Sequence, residues 1–421
     1  MPISRAILIV LLVSSLGALI VALSSRAPAE LRNAEAGTEA VDPSLGDDFT
    51  DEQIERHGIY RRSSYLGFLL ALVVEVVTLL VLARGPLGRL VDATESWRGG
   101  FVTPAAIIGI AVALLVTLAA LPLSFVRGHV IGRAWGLSTQ NLAGWTLDLV
   151  KGLGIGAIMA AVATVAFFVV VRWQPRTWWV WGWATFTILT TVLVWLYPVL
   201  VAPLFNKFTP LENPDLTGRI REVAAEAEVE VDEVLVADAS RRTTSENAYV
   251  AGFGGTKQVV LYDTLLESGS DEDALFVVAH ELGHQKENHV LKGIVVSSLG
   301  LLAGFGALKL LSAWQPLWSW AGADGIQDLR AIPLLLLFST ILGVLTLPVQ
   351  NGLSRSFETR ADAIAFELTE DPDVAIRSFR RLALSNLADL RPPKLAVLWL
   401  FSHPPVADRI RAALVAEGRA P

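Results

Sequence analysis

Long apolar runs separated by polar connections dominate the pattern of this chain. A helix needs roughly 20 apolar residues to cross the hydrocarbon core of a bilayer. Seven runs approach that length, near residues 6–24, 65–83, 103–125, 153–172, 178–201, 293–313 and 331–349. The pattern therefore predicts a mainly α-helical membrane protein with about seven transmembrane helices.

The first apolar run, residues 6–24, has two interpretations. Arg5 precedes it and the small residues "APA" at 27–29 follow it, as in a secretory signal. The run is longer than the roughly 7–15 apolar residues of a signal core. We therefore expect this segment to be retained as a membrane helix.

The apolar runs divide the chain into four parts. Residues 1–204 are predicted to form an N-terminal membrane region with five transmembrane helices. Residues 205–292 form a soluble insert, and 293–350 supply two further membrane helices. Residues 351–421 are predicted to be a helical C-terminal part that belongs with the insert.

Composition supports a membrane protein and limits its chemistry. Hydrophobic residues make up 53% of the chain and charged residues 18%, whereas soluble domains have about 25% charged residues. The net charge of −7 gives no reason to expect a nucleic-acid partner. Because the chain has no cysteine, disulfides, thiolate catalysis and cysteine–zinc sites are excluded. A metal ion here would need histidine and carboxylate ligands.

The stretch "VVAHELGHQKENH", residues 277–289, holds three of the six histidines. An acidic start and apolar spacing predict a helix over 271–289. His280 and His284 are then one turn apart on one face, where both can bind one zinc ion at about 2.0–2.1 Å. Glu281 would lie beside the first histidine, where it can reach an attacking water. The alternative is an ordinary helix with solvated histidines, but the spacing favours zinc.

A catalytic zinc ion usually has three protein ligands, so one more is expected from elsewhere. The helix-prone segment 351–367 offers Glu358 as a ligand and Asp362, one turn later, as an acceptor from a ligand histidine. An exposed helix with charge pairing is the alternative for this segment. We expect His289 to cap or solvate the end of the first helix.

The chain resembles the type I CAAX prenyl endopeptidases, integral-membrane zinc proteases of the gluzincin type, across nearly its whole length. The matching stretches, in family order, are "LPLSF" (121–125), "PLFNKFTPL" (203–211), "ENAYVAGFG" (246–254), "VVLYDTLL" (259–266), "AHELGHQKENH" (279–289), "NGLSRSFETRAD" (351–362) and "SHPPVADRI" (402–410).

This resemblance implies roles for individual residues. His280, His284 and Glu358 would bind one zinc ion per chain, and Glu281 would be the general base. The family architecture has seven helices around a large intramembrane chamber, together with a zincin-like metalloprotease domain that carries a small β-hairpin or sheet. His403 lies in a family motif and is our candidate for stabilising the oxyanion, although a lone histidine before two prolines is often a turn residue.

Further candidates surround the predicted reaction centre. Arg355 is a second candidate for a catalytic role, or else forms an ion pair with Glu358 or Asp362. Segments 247–253 and 257–263 are predicted to be two strands joined at Gly254–Gly255. Extended substrates commonly pair with an exposed edge strand, so the residues expected along the peptide are Asn247, Ala248 and Tyr249. An ordinary buried hairpin is the alternative.

Two ionisable residues lie within apolar runs, where charges are costly. We expect Glu75 to line the chamber, whereas Lys309 is close enough to a span end to reach the interface.

Basic residues in the shorter loops number eight on one side and seven on the other. The flanks of the insert and the tail shift the balance toward a cytoplasmic catalytic domain.

The sequence therefore favours a membrane-embedded zinc endopeptidase acting on peptide or protein substrates, prenylated or membrane-associated, in a bacterial plasma membrane. One alternative is a quality-control protease of the HtpX type, which shares the zinc motifs. A transporter or metal-binding membrane protein is the alternative outside the enzymes. Only Glu75 and Lys309 support it, and it leaves the paired motifs around His280 and Glu358 unexplained.

Overall fold

The computed structural model describes residues 3–33, 48–95, 100–252, 256–416 and 418. Within these residues, seven helices are long and apolar enough to cross a membrane, which confirms the predicted fold class. Their bounds are Ser4–Ser24, Asp51–Arg84, Val102–Ala134, Leu142–Trp173, Trp178–Phe205, His289–Ser312 and Leu329–Thr369.

The α-helices are named here in chain order. They are α1 Ile3–Ser24, α2 Ala29–Asn33, α3 Asp51–Arg84, α4 Leu87–Glu95, α5 Val102–Phe125, α6 Gly132–Ala134, α7 Leu142–Trp173, α8 Trp178–Leu196, α9 Ala202–Phe205, α10 Pro214–Glu226, α11 Asp263–Ser268, α12 Asp271–Lys286, α13 His289–Ser312, α14 Gln315–Trp320, α15 Ile332–Thr369, α16 Pro372–Ser385, α17 Lys394–Leu400 and α18 Val406–Ala416. Two π-helical turns, Val126–Ile131 and Tyr197–Val201, continue α5 and α8.

The membrane helices bury little of their surface inside the protein. Between 6% and 33% of the most apolar window of each span is buried, so most residues of each window keep accessible surface. The first helix, α1, packs against α3 and α5, and Val21 is fully buried there. Glu75 lies in α3 and accepts a hydrogen bond of 2.6 Å from the Thr340 hydroxyl of α15.

A mixed four-stranded sheet lies in the insert. Its strands are β1 Phe208–Pro210, β2 Glu233–Ala237, β3 Ala248–Ala251 and β4 Gln258–Tyr262. Their order is β1-β2-β4-β3, with β2 and β4 parallel and the outer pairs antiparallel. β3 is therefore an edge strand. The predicted junction at Gly254–Gly255 lies outside the described residues.

The sheet and the helices α10, α12, α16 and α18 share one apolar core. α12 begins after Ser270, whose hydroxyl accepts from the Asp273 amide at 3.2 Å while the Asp273 carboxylate accepts from the Ser270 amide at 3.1 Å. This reciprocal cap satisfies two amides at the helix start. The predicted part boundaries at 292/293 and 350/351 fall inside α13 and α15.

The membrane region contacts the core around the sheet at the turn that follows α16. Residues 386–389 receive three side chains from α3. His57 Nδ1 lies 2.7 Å from the Ala388 carbonyl, Arg61 donates to the carbonyls of residues 386 and 387, and the Tyr65 hydroxyl donates to Asp389 at 2.6 Å. The membrane bundle therefore fixes the position of this turn relative to α3.

Arg381 links the edge strand to α12 through buried ion pairs. Its Nε lies 3.1 Å from Glu246, just before β3, and its Nη1 lies 3.2 Å from Asp273 in the first turn of α12. Burial opposes ionisation of Asp273, but hydrogen bonds from Ser270 and Ser378 and the charge of Arg381 hold the pKa of this carboxyl below its ordinary value.

Gly269→Ala is expected to disturb this arrangement. The added Cβ would lie 1.5 Å from Nη1 of Arg381. The guanidinium group is held by the carboxylates of Glu246 and Asp273 and cannot move without losing these ion pairs. Overpacking of this kind costs about 1–3 kcal/mol, so the melting temperature of the purified protein should fall. Gly218→Ala, in α10, is the control because nothing lies within 4 Å of its added Cβ. Equal melting temperatures for Gly269→Ala and the unaltered protein would contradict the expectation.

Candidate metal centre

Three side chains from two helices meet as the sequence predicts. α12 presents His280 and His284, and α15 presents Glu358. One ligand atom from each lies within 4.8 Å of the other two. The two Nε2 atoms are 3.2 Å apart, and they lie 3.2 and 3.5 Å from the carboxylate oxygens of Glu358.

The donor set suits a divalent transition metal. Two imidazole nitrogens and one carboxylate are a common set for catalytic zinc. His280 and Glu358 are buried at 7% and 6% exposure. The buried Oε2 of Glu358 has no hydrogen-bond partner among the described residues, an arrangement that is costly unless a cation satisfies the oxygen. The residues present therefore fit a metal ion.

Asp362 lies on the side of the His280 ring that faces away from the cluster. Its Oδ1 is 2.8 Å from Nδ1 of His280, so the opposite nitrogen, Nε2, faces the ligand cluster. Arg409 of α18 forms a double hydrogen bond with the same carboxylate, at 2.6 and 2.8 Å. This chain of contacts orients the His280 ring, as partners of metal-binding histidines generally do.

His280 is protonated readily when no metal is bound. Burial opposes protonation of His280, but its contacts with Asp362 and Glu358 outweigh burial and raise the pKa of the imidazole to about 9. A bound metal must displace this proton.

Glu281 faces a cavity beside the cluster. The cavity has a volume of about 700 Å³, and its lining includes His280, Glu281, His403 and Asn247. Desolvation within this cleft raises the pKa of the Glu281 carboxyl, while the neighbouring histidines oppose the shift. The carboxylate of Glu281 is therefore adjacent to the cluster and open to the cavity.

His403 approaches the cluster from the C-terminal part. Its Nε2 lies 3.3 Å from Glu358. Its side chain is 58% exposed and lines the cavity. Ser402 Oγ lies 2.9 Å from Nδ1 of the same ring. When this hydroxyl donates to Nδ1, the proton of the neutral ring is on Nε2, directed toward the cluster.

Arg355 lies on α15 but is engaged with backbone. Its Nη1 donates to the carbonyls of Val397 and Phe401 at 2.8 and 2.7 Å. These contacts fix the segment that leads into His403. The ion-pair partner of Asp362 is Arg409, not Arg355.

The edge strand borders the same cavity. Asn247 is exposed and lines the cavity, and its carbonyl accepts from the Tyr262 amide at 3.0 Å. Ala248 is buried at 2% exposure. Tyr249 packs edge-on against Tyr262 with ring centroids 6.5 Å apart, and burial raises the pKa of its hydroxyl to about 12.

Several contacts of the site were not predicted. Arg409 lies within the quoted motif "SHPPVADRI", yet only His403 was selected from it. Asn386 exchanges two hydrogen bonds of 3.2 Å with the backbone of Glu246, next to the edge strand, and no sequence signal marked it. The expectation that His289 caps or solvates a helix end is wrong, because its side chain is buried at 6% exposure beside His284.

Two family models match the chain and together cover most of it. The model described as "Peptidase family M48" matches residues 210–417. The model described as "CAAX prenyl protease N-terminal, five membrane helices" matches residues 30–207.

Similar proteins occur in bacteria and eukaryotes. An uncharacterised metalloprotease of Bacillus subtilis is 35% identical over 302 residues, covering 71% of each chain. The CAAX prenyl protease 1 homolog of Arabidopsis thaliana is 33% identical over 296 residues, covering 69% of each chain. CAAX prenyl protease 1 of Saccharomyces cerevisiae is 28% identical, over 71% of this chain and 69% of its own. The predicted resemblance is thereby confirmed.

A solved structure has the same fold. The crystal structure of Ste24p from S. mikatae superimposes with a TM-score of 0.78 at 22% sequence identity. The match covers 96% of this chain and 98% of the other. The arrangement of membrane helices and catalytic core is therefore shared over nearly the whole length.

Proposed function

The chain belongs to peptidase family M48, and its N-terminal part matches the five-helix membrane region of the CAAX prenyl proteases. From this family membership we propose how its site works. The protein is a multi-pass membrane metalloendopeptidase. We propose that it holds one zinc ion per chain between His280, His284 and Glu358. One observation carries this proposal. One possible ligand atom from each of the three residues lies within 4.8 Å of the other two, beside a cavity that Glu281 also lines.

A zinc ion bound there would supply a Lewis acid that polarises the scissile carbonyl and acidifies the attacking water. Glu281 would accept the proton of that water at a carboxylate oxygen and pass it to the departing amine. His403 would donate from Nε2 to the oxyanion that develops on the substrate carbonyl. Arg355 would keep His403 in place through the Val397 and Phe401 carbonyls.

The edge strand would hold the substrate in an extended conformation. Main-chain groups of β3 that face away from β4 are available to pair with a peptide, and such pairing is independent of sequence. Asn247, Ala248 and Tyr249 would lie along the peptide. The volume of the cavity, about 700 Å³, supports an oligopeptide rather than a single amino acid as the bound unit.

We propose that the substrates are prenylated or otherwise membrane-associated peptides. The catalytic core lies directly against α3, with contacts from His57, Arg61 and Tyr65, so a peptide enters the site close to the bilayer. Two curated relatives are named as CAAX prenyl proteases, which supports a lipidated C-terminal peptide.

We further propose that the protein lies in a bacterial plasma membrane with its catalytic core facing the cytoplasm. The core adjoins the N-terminal end of α3, and the basic residues of that side include Arg56, Arg61 and Arg62. The shorter loops of that side carry eight basic residues against seven on the other, and the flanks of the insert and the tail add to the same side, as is typical of cytoplasmic ends.

The alternatives receive less support. Residues 30–207 match the family described as "CAAX prenyl protease N-terminal, five membrane helices", and this match does not favour an HtpX-like protease. A transporter would need a role for Glu75 beyond its hydrogen bond to Thr340, and a carrier function would leave Glu281 and the ligand cluster without a use.

The proposal is tested with the purified chain in detergent. We expect zinc near one per chain, and hydrolysis of an internally quenched peptide that stops with a chelator and returns with added zinc. The same peptide carrying a C-terminal farnesylcysteine segment should be cleaved with a lower KM than its unlipidated form. Cleavage that persists in metal-free protein would overturn the zinc assignment, and equal KM values would overturn the lipidated substrate.

A further inference from the structure

The chain bends sharply directly after the histidine-bearing helix. α12 ends at Lys286 and α13 begins at His289. Asn288 between them has φ +53° and ψ 39°, in the left-handed region. Asparagine is one of the few residues other than glycine that adopt this conformation readily. The predicted helix over 271–289 is therefore broken at this residue.

The break allows a contact that a continuous helix could not make. In an unbroken α-helix, a residue five positions after His284 would lie about 140° around the axis and point away from it. Here Nδ1 of His289 lies 2.9 Å from Nδ1 of His284, with ring centroids 5.0 Å apart. The conformation of Asn288 thus returns the His289 ring to the ligand cluster.

The position of His289 is fixed from a second side. Its ring stacks on Phe357, with centroids 4.2 Å apart and an interplanar angle of 10°. Phe357 immediately precedes Glu358 in α15. Glu287, at the bend, also reaches Arg360 of α15 and Lys292 of α13 at 2.9 Å each. The bend, the second histidine and the carboxylate-bearing helix are therefore held together.

We propose that His289 is a positioning residue for the metal site, accepting a hydrogen bond from Nδ1–H of His284 and thereby directing Nε2 of His284 at the ion. This inference rests on the proposed zinc site and extends it. The Nε2 of His284 already faces the cluster, 3.2 Å from Nε2 of His280, so a metal ion bound at Nε2 would leave the proton of the neutral His284 ring on Nδ1. His289 then accepts at Nδ1 and carries its own proton on Nε2.

This arrangement gives each ligand histidine its own acceptor. Asp362 lies 2.8 Å from Nδ1 of His280, and His289 lies 2.9 Å from Nδ1 of His284. Removing such a partner of a ligand typically weakens metal binding about 10–100-fold. A neutral imidazole acceptor, unlike a carboxylate, adds no negative charge beside the cluster.

Two substitutions separate the hydrogen bond from the packing. His289→Phe keeps an aromatic ring for stacking on Phe357 but removes the acceptor. His289→Asn removes the ring but places an amide oxygen close to the position of Nδ1. Zinc dissociation constants are measured by competition with a fluorescent chelator, alongside the melting temperature of the metal-free proteins and kcat and KM for the peptide.

We expect His289→Phe to weaken zinc binding about 10–100-fold with a metal-free melting temperature close to that of the unaltered protein. His289→Asn should regain most of the zinc affinity. If His289→Phe binds zinc as tightly as the unaltered protein, or if both variants lose affinity equally, the positioning role is wrong. An unaltered protein that binds no zinc would instead contradict the proposed metal site itself.

Discussion

Glu281→Gln is expected to lower kcat for peptide hydrolysis by about 10²–10⁴-fold while zinc remains bound. The amide matches the carboxylate in size but cannot accept a proton, and general-base catalysis contributes a factor of that order. Glu281 is not among the three clustered ligand atoms, so the metal content should stay near one ion per chain. Steady-state kinetics and metal analysis of the same preparation measure both quantities.

Glu272→Gln is the matched control for this experiment. It makes the same chemical change at the exposed start of the same helix, where the side chain of Glu272 is 51% exposed and pairs with Arg219. We expect its kcat to equal that of the unaltered protein. A Glu281→Gln protein that keeps full activity would show that another group accepts the proton.

Glu358→Ala is expected to remove most of the bound zinc and with it all measurable hydrolysis. Losing a hydrogen-bonded partner of a ligand costs about 10–100-fold in metal affinity, and losing one of three ligands costs more. The zinc dissociation constant, measured by chelator competition, should therefore rise by more than about 100-fold.

Glu367→Ala provides the comparison on the same helix, since Glu367 is exposed and lies outside the cluster. It should bind zinc as the unaltered protein does. Unchanged zinc affinity in Glu358→Ala would mean that another residue completes the coordination, and the ligand assignment would have to be revised.

The parts of the molecule that depend on local pattern could be predicted from sequence. The seven spans follow from the length of apolar runs, and the pairing of His280 with His284 follows from helical spacing. Glu358 was found because its motif resembles that of a known family. Two short apolar segments predicted that β3 is a strand. Its place at the edge of the sheet became clear only from the strand order in the structure.

Contacts between distant segments could not be predicted. Nothing near Asp362 in the sequence indicates that Arg409 of α18 would bind it, because that pair depends on how α15 and α18 pack. The turn at 386–389 meets α3 more than 300 residues away in sequence. His289 was misjudged for a different reason, since a single left-handed residue, Asn288, reversed the direction that a regular helix gives to its side chain.

The length of α15 sets the distance between the last apolar run and the proposed metal site. One helix of 38 residues contains the last apolar run, which ends near 349, and then Glu358. At about 1.5 Å per residue, Glu358 lies no more than about 14 Å beyond that run. An extended peptide covers such a distance with about four residues. Bonds only a few residues from a lipid or transmembrane anchor would therefore be within reach while the anchor itself stays in the bilayer.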